Sequence, residues 1–217
     1  QSFGVINITD HKVYLETGGQ ISDENLIRLM LDLTTNLANR FASARESFPL
    51  VGWEKSLFAN WQKIADDNGL SFDSKNVVIH GNYKDFPVRI SLETDIKKFQ
   101  TKIHLQFGKS LMIGLKLMPE NSIHKAMTWL GVQDIETGIK EFDDLFIVKA
   151  ENSQQAKHIL KQSLCNQLTG LAKQSSSFEI NDNEITIYFG QILGDEINLK
   201  SNLEAVILTA GMFQNRN

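Results

Sequence analysis

The chain has 217 residues, 41% of them hydrophobic and 22% charged, with a formal net charge of −4. This composition excludes disorder and collagen-like order, and the length is enough to bury a core without staples. Cys165 is the only cysteine, which excludes an internal disulfide and a multi-cysteine metal site.

Lysine plus arginine against aspartate plus glutamate count 6 and 10 over residues 1–74, 9 and 4 over 75–125, and 7 and 12 over 126–217. The middle segment therefore carries +5 between flanks of −4 and −5. Such a segment fits an anion-facing surface, and equally complementary charge within one fold. No apolar run approaches the roughly 20 residues of a membrane-spanning helix, and no signal peptide opens the chain, so the sequence reads as a soluble domain. The first residue is Gln1 and not methionine, so an upstream signal or anchor, and with it the compartment, is left open.

Phe3 to Ile8 and Val13 to Glu16 are β-branched and aromatic runs around residues 9–12, which predicts a hairpin. Ser22 is the expected cap of a long helix, with Asp23 and Glu24 favoured at its positive end. Leu26, Met30, Leu33, Leu37, Phe41, Ala44 and Phe48 form its apolar stripe, and Pro49 ends it. A second helix carries Trp53, Leu57, Trp61, Ile64 and Ala65, with Gly69 as its C-terminal cap. From Val77 the period becomes two, predicting four strands over residues 77–83, 86–92, 101–107 and 111–117. Their short connections predict an antiparallel meander.

After Pro119 the pattern predicts a short helix from Ile123 to Leu130, an acidic loop, and a strand from Leu145 to Val148. A long helix capped by Asn152 or Ser153 follows, with Ala156, Ile159, Leu160, Leu164, Leu168 and Leu171 on one face. A last hairpin pairs Phe178 to Ile180 with Ile185 to Phe189, and a final helix carries Leu203, Val206, Ile207, Ala210 and Phe213. The expected fold is α+β: an antiparallel β-meander packed on amphipathic helices, with an N-terminal hairpin and helical extension. Residues 1–50 are read as the appended element and 51–217 as one α+β domain.

Trp61 to Ala65, Asn68-Gly-Leu70, His80-Gly-Asn-Tyr83, Gly131, Asp134-Ile135, Thr137-Gly138 and Phe142-Asp143 to Val148 together resemble an uncharacterised family of bacterial proteins. In that family a tryptophan helix ending in Gly-Leu precedes a Gly-x-Tyr strand, and an Asp-Ile-x-Thr-Gly loop precedes a Phe-Asp strand. The resemblance covers about residues 53–213 and implies a shared fold with no assigned activity. Where the pattern has a further glycine and then arginine, this chain has Asp85 and Phe86.

Motifs for chemistry are missing. Asp134, Glu136, Glu141, Asp143 and Asp144 lack the alternation of a calcium loop, and read better as a turn that caps backbone amides. His11, His80, His104, His124 and His158 make no zinc motif, and no Gly-x-Ser-x-Gly or phosphate-binding glycine loop occurs. No catalytic residue, metal or cofactor is therefore assigned. The strand aromatics alternate into the apolar face, which disfavours nucleic acid.

One constellation remains. If Val77, Val88, Ile103 and Ile113 point inward, His80, Arg89, Lys102, His104 and Lys116 share the opposite face, which is then basic. That face is either a solvated sheet surface or a docking surface for an acidic protein or anionic ligand. The expected function is a non-enzymatic binding or assembly module of a soluble or membrane-tethered bacterial protein, forming a homodimer through the Leu26–Phe48 helix. The alternative is an enzyme whose site joins His80 and His104 to the Asp134–Asp144 loop.

Overall fold

The two N-terminal runs pair as expected: β1 (Val5–Ile8) and β2 (Val13–Glu16) form a two-stranded antiparallel sheet with Val5 opposite Glu16. In this computed structural model the described residues are 5–8, 13–16, 21–47, 52–95, 98–120 and 134–214. The expected turn at 9–12, the glycines at 18–19, Pro49 and the helix at 123–130 lie outside them. Contacts divide the chain into two compact units, 1–55 and 56–217.

In the first unit, α1 (Glu24–Ser47) is capped one residue later than expected. Asp23 Oδ1, not Ser22, accepts from the amides of Asn25 and Leu26 at 2.9 and 3.3 Å. A carboxylate satisfies these free donors and also suits the positive end of the helix dipole, which a hydroxyl does less well. Arg28 pairs with Glu24 at 2.8 Å along the helix. Much of the apolar surface of α1 faces solvent, with Leu29 64% and Leu31 62% exposed.

The second unit is built on an antiparallel sheet with strand order β3-β4-β5-β6-β10-β9-β7-β8. Its strands are β3 (Ser71–Asp73), β4 (Val78–Tyr83), β5 (Phe86–Asp95), β6 (Lys98–Gln106), β7 (Lys116–Pro119), β8 (Phe146–Lys149), β9 (Ser177–Asn181) and β10 (Glu184–Phe189). The helices are α2 (Gly52–Asp67), α3 (Lys140–Asp143), α4 (Ser153–Ile159), α5 (Gln162–Gln174) and α6 (Glu196–Gln214). One sheet face is apolar: Ile79, Ile90, Ile103, Leu105, Ile185, Ile187, Phe178 and Val148 are buried there. Trp61 of α2 meets Phe72 edge-on at 6.1 Å, and Phe213 of α6 lies 5.7 Å from Phe107, so helices cover that face. This is the α+β architecture the sequence predicts.

Gly69 ends α2 in the left-handed region (φ +65), as its cap position requires. The β4–β5 turn holds Lys84 and Asp85 at φ 48 and 70, the geometry of a tight hairpin turn that favours glycine. Here charge anchors it: Tyr83 Oη and Lys84 Nζ both donate to the Glu204 carboxylate at 2.5 Å. Burial, helped by Glu204, pushes the Tyr83 phenol up to about 12.

Two expectations fail. Residues 111–117 alternate in burial but are not the fourth meander strand. Met112 (φ 55) and Gly114 (φ 67) bend the chain, so only Lys116–Pro119 forms a strand, and it pairs with β9 and β8. The place beside β6 is taken by β10. The long helix expected from residue 153 is broken at Leu160 (ψ 59) into α4 and α5, with Asn152 capping α4 through Oδ1 to the amide of Gln155 at 3.0 Å.

Three carboxylates hold the irregular segments. Asp182 accepts from the consecutive amides of Ile113, Gly114 and Leu115 at 3.1, 2.8 and 2.8 Å. Asp143 accepts from the Thr137 amide and hydroxyl at 2.9 and 2.7 Å and from the Gly138 amide at 2.9 Å. Asp134 Oδ1 accepts from Ile135 and Val148 amides at 2.9 and 2.8 Å. A Cβ on Gly114 would stand 2.6 Å from Glu151 Cγ, so this bend also needs glycine for space.

Candidate functional site

The sheet face away from the helices carries the polar alternate residues of the strands. Its central row follows from register: Ser71 is opposite His80, His80 opposite Arg89, Arg89 opposite His104, His104 opposite Thr186, and Thr186 opposite Glu179. Directly opposed residues in antiparallel strands have Cβ atoms about 5 Å apart, so Arg89 sits between two histidines. His80 and Arg89 are exposed, whereas Lys102, His104 and Lys116 are half-buried.

Each group has a distinct setting. Lys102 Nζ lies 3.9 Å from Glu93 and 5.5 Å from the centre of the Tyr188 ring. His104 Nδ1 is 3.1 Å from Thr186 Oγ1, and its Nε2 is 3.7 Å from Glu184. Burial pushes the His104 pKa below its usual value; Glu184 opposes this, while Lys102 and Arg89 push it further down. The Arg89 guanidinium makes no hydrogen bond or ion pair among the described residues. Lys116 and Lys149 each have an interaction of their own.

The structure places His80, Arg89, Lys102 and His104 on adjacent strands of one face, and Lys116 on the same face but away from them. Lys116 is opposite Asn181 and Lys149, on a strand three places from β6. At about 4.8 Å per strand that is about 14 Å away. The face is mixed in charge rather than uniformly basic. Glu179 and Glu184 arrive on β9 and β10, and Glu93 sits opposite Gln100, so carboxylates interleave with the cations. Sequence reasoning missed these glutamates because their alternation with Phe178, Ile180, Ile185 and Ile187 is local, while their neighbours lie far away in sequence.

The constellation of the enzyme alternative is not assembled. Asp134 lies along the outer edge of β8 through the Val148 amide. His104 is on β6, and three strands intervene before β8. The separation is therefore at least about 19 Å by strand spacing. Asp134 and Asp143 accept from backbone amides, whereas Asp144 pairs with Lys140 and Glu141 with Lys173, both at 2.7 Å. Cys165 is buried, and burial pushes its thiol up to about 11, which leaves it protonated and unreactive at neutral pH. Among the described residues no three His, Cys, Asp or Glu side chains are grouped to hold a metal. Among the same residues no helix is long and apolar enough to cross a membrane.

No family model matches the chain, and no curated protein matches it. The crystal structure of the mycobacterial trehalose monomycolate transport factor A, TtfA, aligns with a TM-score of 0.46 at 12% identity, covering 74% of this chain and 93% of that one.

Proposed function

We propose that this chain is a non-enzymatic binding or assembly module of a soluble or membrane-tethered bacterial protein, and that the exposed part of its polar sheet face around His80 and Arg89 docks an acidic partner protein. The observation that carries this reading is Arg89. It is exposed at the centre of the polar face and unpaired among the described residues, while Lys102 beside it is held by Glu93. A row of polar side chains spread across several strands fits a macromolecular surface better than an enclosed small-molecule site.

The test places a photo-crosslinking residue at His80 on the face, and at Lys157 on α4 as a control, in the native host. An acidic protein captured from position 80 only, and lost on Arg89→Glu, is the expected result. Identical products at the two positions, or capture indifferent to Arg89→Glu, would overturn the reading.

The second contact is a homodimer through α1. Leu26, Leu29 and Leu33 recur at steps of three and four and are all exposed. Arg28 and Asp32 border this stripe, so an antiparallel pair centred on Met30 sets Arg28 of each copy beside Asp32 of the other. Light scattering at micromolar concentration should give about twice the 24.5 kDa chain mass, falling to the monomer in Leu29→Glu/Leu33→Glu. A monomeric mass for the unaltered chain rules the dimer out.

A further inference from the structure

Arg89 poses a physical problem that its neighbours do not solve. An arginine in an antiparallel sheet gains stability from a carboxylate directly across the ladder and loses it from a like charge there. Here the directly opposite residue is histidine on both sides, His80 on β4 and His104 on β5's other neighbour, β6. When these imidazoles gain protons, three like charges stand in one row about 5 Å apart, an arrangement that is unfavourable unless an anion joins it.

The charged surroundings are specific. On β6, Lys102 is tied to Glu93 of β5. On β10, Thr186 and Glu184 hold the two ring nitrogens of His104 at 3.1 and 3.7 Å. On β3, Asp73 is near enough to His80 for its charge to be felt there. Glu184 is thus placed to pair with a charged His104, and no carboxylate is placed directly opposite Arg89.

We infer that Arg89 with His80 and His104 forms a proton-linked anion site, which receives a carboxylate side chain of the acidic partner and holds it more tightly as the pH falls from 7.5 to 5.5. This rests on the reading of the polar sheet face as the docking surface. Arg89 supplies a permanent, planar pair of donors suited to a carboxylate. Protonation of the histidines adds charge beside it. Linkage makes the effect reciprocal: a bound carboxylate stabilises the charged imidazoles, so binding draws in protons. Burial of His104, which disfavours its charged form, places its share of the response at the acidic end of the range.

The probe is a hexaglutamate peptide titrated against the full chain at low salt by calorimetry, with histidine ring shifts followed by NMR. Affinity should rise about tenfold from pH 7.5 to 5.5, the gain from two unit charges near 5 Å in a water-like dielectric. Arg89→Gln should abolish binding at both pH values. His80→Gln/His104→Gln should keep binding at pH 7.5 and lose the pH dependence. Inorganic phosphate competing as well as the peptide would mark a free-anion site and overturn the assignment to a partner side chain. So would pH-independent affinity, histidine pKa values unmoved by peptide, or binding that survives Arg89→Gln. If hexaglutamate fails while crosslinking from position 80 succeeds, the anion site is wrong and the docking face stands; if both fail, the docking face falls too.

Discussion

Asp182→Ala should lower the unfolding free energy by about 3 kcal/mol, because three backbone amides lose one charged acceptor together. Asp182 is half-buried at the β9–β10 turn, and its two oxygens reach the consecutive amides of Ile113, Gly114 and Leu115. The Ile113 carbonyl is held separately, by the amides of Glu151 and Asn152 at 2.9 and 3.1 Å, but among the described residues no other side chain accepts from these three amides. The turn also holds the segment by backbone bonds, Leu111 to the Asp182 carbonyl and Phe107 to the Asn183 carbonyl, both 2.8 Å, and these survive the substitution. The segment should therefore loosen from residue 112 to 115 while residue 111 stays attached. For a chain of this size a loss of 3 kcal/mol lowers Tm by about 6–12 °C. Asp182→Asn keeps one acceptor oxygen and should lose about half as much. Thermal melts of the two variants check this, together with hydrogen exchange at Ile113, Gly114 and Leu115. An Asp182→Ala melt within 1 °C of the unaltered chain would show that the carboxylate is not holding the loop.

Trp61→Ala should cost more, about 4 kcal/mol, as expected for removing a fully buried large aromatic. Trp61 has no exposed surface and meets Phe72 edge-on. Its indole Nε1 donates to the Leu193 carbonyl at 2.9 Å, and the next residue back, Asn60, donates to the Gly194 carbonyl at 2.8 Å. The helix therefore grips the segment between β10 and α6 as well as filling the core. Trp61→Phe retains most of the apolar contact but leaves a buried carbonyl unpaired, and should cost about 1–2 kcal/mol. Denaturant unfolding separates the two losses. Equal costs for Phe and Ala would mean that the hydrogen bond, and not the packing, dominates.

Local patterns were legible in this sequence wherever the structure is also local. The period-two runs at 86–92 and 101–107 are β5 and β6, the 178–189 pattern is a hairpin, and Gly69 is a helix cap. Alternation at 111–117 misleads because it reports which side chains are buried, not which strand, if any, bonds the backbone. Leu111, Ile113, Leu115 and Leu117 are all buried, yet the amides of 113–115 turn to Asp182. The break at Leu160 has no glycine or proline to announce it. The candidate face was half legible for the same reason: strand alternation places Arg89 and His104 together, whereas the glutamates that balance them come from a hairpin whose position beside β6 is a long-range choice.

That choice bears on how the chain is made. Thr186 pairs with His104 across 82 positions, so at about 5–20 residues per second the edge of β6 waits roughly 4–16 s on the ribosome for its partner. During that interval β3 to β6 can already form a local meander with one raw edge, and β7 and β8 have nothing to join. The hairpin of β9 and β10 is the keystone that welds the two halves. Stalled or prematurely released chains ending before residue 184 would carry a bare strand edge able to recruit other nascent chains.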